Sequence, residues 1–516
     1  MDRKNTFLNI ITEGYACNGD YIALGSAMLE GETIPDAQVR IPLRTMNRHG
    51  LIAGATGTGK TKTLQVISEQ LSEKGVPVLL MDVKGDLSGI AMPGVEKPFI
   101  TERHAKLKLP FSVKGYPVEL MSLSKQEGVR LRATVSEFGP VLLSRILDLN
   151  DTQEGVMAVI FKYCDDKQLA LLDLKDLKKV LQYVTEEGKA EIEKDYGKIS
   201  TATTGIIMRK IIELEQQGAD LFFGELSFDI KDLMRKDKNL NGYISIIRLT
   251  DIQDKPKLFS TFMLSLLAEI YSQMPEKGDA EKPELVIFID EAHLIFSEAS
   301  KALLDQIENI VKLIRSKGVG IFFVTQNPTD VPNGVLSQLG LKVQHALRAF
   351  TAIDRKAIKL TSENYPLSEY YKTDETITSL GIGEALVTAL SEKGIPTPLA
   401  ATMLRAPVSR MDILSQDEIK AINGASVLVQ KYSHTIDRES AYEILNRKVS
   451  EFKVEAEVDR KEGENGRMGE GETPRYHDAP AVRGGRSTKT TQDQVVKVLT
   501  SATFIRGVFG ILKKIM

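Results

Sequence analysis

The segment Gly54-Ala-Thr-Gly-Thr-Gly-Lys-Thr61 restricts this chain more than any other. An apolar run, Leu51-Ile-Ala53, leads into it, and a helix-compatible stretch, Thr61 to Lys74, leads out. A strand, a turn reading G-x-x-x-x-G-K-T and a helix, in that order, make a P-loop. Backbone N–H groups from Gly54, Ala55, Thr56, Gly57, Thr58 and Gly59 can curl around phosphates, and the helix N-terminus adds its positive dipole end. Lys60 is placed to reach the β- and γ-phosphates, and Thr61 to ligate Mg²⁺. Thr63 shares that first helical turn. The expected ligand is a nucleoside triphosphate with Mg²⁺, on an α/β scaffold with a mostly parallel sheet.

The rest of the chain has to supply that scaffold. With 516 residues it exceeds one simple core, so a large central domain with attachments is expected. A net charge of −3 excludes a global polyanion-binding character, which leaves a local patch or a lining made by several copies. The two cysteines, Cys17 and Cys164, form neither a disulfide framework nor a metal pattern, which fits a reducing cytoplasm. No apolar run follows the N-terminus as a signal peptide would, and no uncharged run reaches membrane-spanning length.

Periodicity divides the chain. Residues 1–45 read as a short β-rich segment of strands and turns. Residues 46–109 and 241–410 read as two parts of one α/β core. Its strands are Leu51–Ala53, Val76–Asp82, Tyr243–Leu249, Leu285–Asp290 and Val319–Thr325. Between them, 110–240 is rich in Leu, Lys, Glu and Asp at helical spacing and reads as a mostly helical insertion. Residues 411–450 read as an extension of the core, 451–490 as a flexible linker and 491–516 as a basic amphipathic tail helix.

Four pieces converge on the triphosphate. Phe288-Ile-Asp-Glu-Ala-His293 is an apolar strand ending in two acids. Asp290 is expected to hold Mg²⁺, and Glu291 to polarise an attacking water. Gln326, after the next strand, can touch the γ-phosphate or the water. Asp82 ends the second core strand and either assists Mg²⁺ or caps its own loop. Arg315, before the Gln326 strand, either reaches a γ-phosphate or sits favourably at a helix C-terminus. Arg48, Arg348 and Arg355 are weaker candidates.

Together these segments resemble the HerA–FtsK branch of RecA-like motor ATPases. Segments including Leu131–Pro140, Phe222–Glu225 and Val343–Thr351 are similar to bacterial HerA-like proteins of the YjgR type. The resemblance implies a RecA-like core, ATP with Mg²⁺ as the ligand and a ring, usually a hexamer, with each nucleotide at a subunit boundary. It implies that Arg315 reaches the neighbour's ATP and that Arg48 serves its own subunit. Lys60, Asp82, Glu291 and Gln326 match the remaining catalytic positions. It further implies movement along DNA, often beside a nuclease.

Other features stay open between two readings. Arg130, Arg132, Lys175, Lys178 and Lys179 suit either a phosphate-contacting surface or solvated helix faces. From Arg486 to the end, six basic side chains face one acid, Asp493. That tail suits an anionic membrane surface, a partner groove or packing on its own core. An ATPase acting on protein or membrane cargo is therefore the alternative to a DNA motor, with a low-turnover scaffold third.

Overall fold

The computed structural model describes residues 3–465, apart from 254, 279, 297–300, 435 and 437. Its described residues divide into two compact units, one built from those within 1–132 and 226–435 and one from those within 133–225 and 436–465. The tail helix at 491–516, and the linker beyond 465, lie outside the described residues.

The first unit is organised on one twelve-stranded sheet. In chain order its strands are β1 (Tyr21–Leu29), β2 (Glu32–Pro42), β3 (Gly50–Ala53), β4 (Val78–Asp82), β5 (Val118–Ser122) and β6 (Val129–Arg130). Then come β7 (Ile244–Arg248), β8 (Leu285–Ile289), β9 (Val319–Thr325), β10 (Leu341–His345), β11 (Glu384–Thr388) and β12 (Ala400–Leu404). The spatial order is β2-β1-β12-β11-β10-β3-β9-β8-β4-β7-β5-β6. From β10 to β6 every pairing is parallel. From β2 to β10 every pairing is antiparallel. Four of the five apolar runs read as core strands, those of β3, β4, β8 and β9, are buried along their whole length, as strands covered on both faces must be, and β7 is buried up to its half-exposed Arg248.

This order gathers the chemistry. β3 lies between β10 and β9, with β8 and β4 beyond. Ala53 is opposite both Thr325 and Gln344, Ile289 is opposite Phe323, and Met81 is opposite Ile289. The carboxyl ends of five neighbouring strands therefore form one edge, where ligands of open parallel sheets bind.

Three stretches differ from the sequence reading. Residues 3–14 are a helix, not strands and turns, and bury Phe7 and Ile11 one helical turn apart. β1 and β2 then pair through β12 into the main sheet. Residues 110–132 supply β5 and β6 to the sheet. Glu119 disguises β5, because a buried acid interrupts the apolar run; Arg235 and the Ser426 hydroxyl partner it. Residues 441–465 are helical where a linker was expected from 451.

The second unit is helical by itself, with helices including Val135–Ile146, Asp151–Asp166, Leu174–Tyr183 and Thr201–Gln216. Tyr163 and Tyr183 stack in its core with centroids 6.5 Å apart. Asp176 joins the Leu174–Tyr183 helix to Tyr442 by accepting its backbone N–H at 2.9 Å. Two of the basic groups noted earlier have local partners. Lys178 pairs with Glu215, and Arg132, in the first unit, donates to the Tyr432 carbonyl. Between 133 and 225, eleven Lys and Arg face seventeen Asp and Glu, so a phosphate-contacting surface there has little electrostatic support.

Candidate nucleotide site

The turn after β3 adopts a backbone that side chains resist. Gly54, Gly57 and Gly59 have φ of 153°, 77° and 113°. A Cβ on Gly54 would fall 2.5 Å from the His345 Cβ, whereas one on Gly57 would meet nothing within 4 Å. The loop is therefore tight beneath and open above. Neighbouring strand ends brace it: Ala55 N–H donates to the Ala346 carbonyl at 2.8 Å, and Gly383 N–H donates to the Thr58 carbonyl at 3.0 Å. The Lys60–Glu73 helix starts directly from it. Lys60 Nζ donates to the Gly54 and Ala55 carbonyls at 2.7 and 3.2 Å, so the ammonium lies within the turn. Burial, and then Lys84, lower its pKa, while Glu291 and Asp290 oppose that shift. Thr61 occupies the first turn of the same helix.

Thr63 faces inward rather than toward a ligand. Its Oγ1 lies 2.9 Å from Nε2 of His345, a buried ring at the end of β10. Burial, and then Lys60, push that imidazole down to about 4, so it is neutral near pH 7.

Two acids follow β8. Asp290 is 4% exposed, and its Oδ2 has no hydrogen-bond partner. Burial, and next the adjacent Glu291 carboxylate, raise it to about 7. Glu291 has φ of 48°, a sparsely populated conformation for a residue with a side chain. Its carboxylate is ion-paired with Lys84, and His293 Nδ1 stands 3.2 Å away. Asp82 ends β4, where burial raises it to about 6. It accepts backbone N–H groups from Gly85, Asp86 and Leu87 at 2.7, 3.2 and 3.1 Å, so it caps its loop. Gln326 follows β9 directly and is exposed at the same edge.

The arginines do not join this group. Arg48 precedes β3 by two residues and Arg315 precedes β9 by four, so both lie where the parallel strands begin. β3 (Gly50–Ala53), four extended residues covering about 13 Å, separates Arg48 from Gly54 at its other end. The Arg48 backbone thus sits at the opposite end of that strand from the Gly-rich turn. Arg315 is exposed there. Arg348 donates to the Thr378 and Leu380 carbonyls, closing a helix C-terminus. Arg355 is exposed on the Ala352–Ser362 helix.

Lys84 and His345 went unread as site residues. Lys84 carried one signal, its position two residues beyond the β4 acid. His345 carried another, a polar side chain ending an apolar strand.

The residues present fit a Mg²⁺–triphosphate. The Gly-rich turn is open above Gly57, Lys60 lies within it, and Asp290 Oδ2 is a buried oxygen without a hydrogen-bond partner. Thr61 and Asp290 are the residues that would hold the metal.

The family described as helicase HerA-like C-terminal matches residues 27–515. The DNA double-strand break repair helicase HerA of Sulfolobus acidocaldarius is 23% identical over 355 residues, 68% of this chain and 64% of that protein. The DNA import protein CedB of the same organism is 24% identical over 362 residues, 69% of this chain and 52% of that protein. The chain thus spans a little under two thirds of the first relative and about half of the second. Among solved structures, the bacterial conjugative coupling protein TrwBdeltaN70 aligns with a TM-score of 0.52 at 14% identity, over 79% of this chain and 95% of that one. That likeness supports the RecA-like P-loop fold.

Proposed function

The chain belongs to the helicase HerA-like C-terminal family, and on that premise we propose that it is a Mg²⁺-dependent ATPase that uses hydrolysis to move along DNA. The observation that carries this reading is the gathering of Lys60, Asp290, Glu291 and Gln326 at one sheet edge. A site that only bound nucleotide would have no use for a strained, buried carboxylate beside the metal acid.

In this reading the P-loop N–H groups and Lys60 hold the terminal phosphates. Bound Mg²⁺ supplies positive charge that offsets charge spreading over the transferred phosphoryl group. Glu291 accepts a hydrogen bond from the attacking water and draws off its proton, held in place by Lys84 and His293. Gln326 orients that water or senses loss of the γ-phosphate. Asp82 keeps the β4 loop, and with it Lys84, in position.

Arg48 and Arg315 act on the nucleotide of an adjoining copy, because both precede the parallel strands whose other ends carry their own P-loop edge. Copies therefore assemble in a ring, a hexamer on the family resemblance, in the cytoplasm. DNA as the track is supported by the names of the relatives, a repair helicase and an import protein. The proposal includes a partner nuclease, on the resemblance, and membrane contact through 491–516, on that segment's charge.

The test is the ATPase rate with duplex DNA, with single-stranded DNA and with neither, with molecular mass measured in the same buffer. Stimulation of an assembled species by DNA is expected. An active monomer indifferent to both DNA forms overturns the motor reading.

A further inference from the structure

A buried histidine connects the elements that carry the two arginines. His49 follows Arg48 directly, is 2% exposed and has φ of 57°. Its Nδ1 accepts the backbone N–H of Ile321, in β9, at 3.0 Å. An accepting Nδ1 places the ring proton on Nε2, which lies 2.8 Å from the Val311 carbonyl and donates to it. Burial opposes protonation and pushes the imidazole down to about 4; the Val311 hydrogen bond works against this and the Arg315 charge adds to it. The ring is therefore neutral near pH 7, with one donor and one acceptor, and both are used.

The two partners matter because of where they lie. Val311 is in the last turn of the Lys301–Ile314 helix, where carbonyls run out of partners within the helix. Four residues later comes Arg315, first in the short 3₁₀ turn that follows. Ile321 belongs to the strand that this turn feeds. On the other side, the Arg48 and His49 carbonyls accept N–H groups from Gly340 and Leu341 at 2.8 and 3.2 Å. One rigid ring thus ties the Arg48 turn to the helix end and the strand between which Arg315 sits.

We propose that His49 is a positioning residue for hydrolysis on an adjoining copy, holding Arg48 and Arg315 in one fixed arrangement at the sheet edge away from the P-loop. This rests on the trans-acting arginines proposed above. Arginine side chains are long and flexible, so their aim depends on the two turns that bear them. Misplacement by about 1 Å is enough to cost up to about a hundredfold in rate.

Two variants test this in the full-length assembly. His49→Phe keeps a ring of similar shape without either polar atom. His49→Asn tolerates the left-handed backbone and keeps a polar group near the Nδ1 position, but cannot span to Val311. For each, kcat should fall at least about tenfold with the KM for ATP within about twofold of the parent. Each is then mixed with Glu291→Gln, itself inactive, and co-assembly is confirmed by mass. Activity should return, because some junctions then pair an intact P-loop edge with an intact His49 edge. The parallel mixture of Arg315→Ala with Glu291→Gln tests the underlying reading. If that mixture recovers and the His49 mixtures do not, His49 serves its own subunit and this proposal fails alone. If the Arg315→Ala mixture also stays inactive, the trans-arginine reading fails with it. Parent-level kcat in both His49 variants, or a KM that rises with the fall in kcat, likewise overturns the proposal.

Discussion

Where β3, β8 and β9 end, a ligand would meet backbone: three glycines at positive φ, a helix start and a lysine lying inside the turn. Where the same strands begin, it would meet side chains: two arginines on short turns, with a histidine between the elements beneath them. The first edge stores strain and buried charge, in Glu291 at φ 48° and in Asp290 raised to about 7. At the second, the His49 ring has both nitrogens satisfied. Contact with phosphates requires groups fixed in advance, whereas a group offered to a neighbour needs reach and a stable base. Each edge also has its own neutral histidine, His345 under the P-loop and His49 beside Arg48.

The contrast can be broken most directly by disabling one edge at a time. Glu291→Gln and Arg315→Ala should each lower the steady-state ATPase rate of the assembled protein by about a thousandfold. Nucleotide binding, followed with a fluorescent ATP analogue, should survive in both. An active Glu291→Gln protein would remove the carboxylate from the mechanism.

Stability separates the edges next. A carboxyl whose pKa is raised from 3.8 to about 7 binds a proton more tightly in the folded chain. Ionising it therefore costs stability as pH rises from about 4 through about 7. Asp290→Asn should remove that cost, at most about 4 kcal/mol. Its Tm should exceed the parent's at pH 8, and the advantage should shrink below pH 7 and vanish near pH 4. His49 titrates in the opposite sense. With its pKa lowered from 6.5 to about 4, it costs stability as pH falls through that window. A pH-independent gain in Asp290→Asn would show that packing, not charge, is responsible.

The smallest expected effects distinguish positions within the P-loop. Gly54→Ala drives a methyl into His345 and should cost about 3 kcal/mol by denaturant unfolding. Gly57→Ala meets open space and only the left-handed backbone penalty, about 1 kcal/mol. Equal costs would mean that His345 yields readily and does not hold the loop from below.

The same division governs how much was legible before the structure. The P-loop and the Asp290-Glu291 pair announce themselves because their chemistry lies in consecutive residues. The parallel core strands were readable because burial on both faces makes them continuous apolar runs. β5 escaped because Glu119 breaks such a run, and its neutralising partner Arg235 is 116 residues away. Arg48 lies only six residues before Gly54 in sequence, yet β3 puts the two at its opposite ends, which sequence distance does not reveal. His49 and His345 were invisible as functional groups, since their partners Ile321 and Thr63 lie 272 and 282 residues away.

Opposite placement of the P-loop and the arginines also has a consequence for symmetry. If one copy's arginine edge completes another's phosphate edge, the two surfaces in contact are different, and the junction is heterologous. A pair of copies joined this way has one complete site and one incomplete site, and each end remains able to add another. A twofold dimer, burying the same edge of both copies, would complete neither. Only a closed cycle completes every site at once, so catalytic output per chain should climb with assembly and level off at closure.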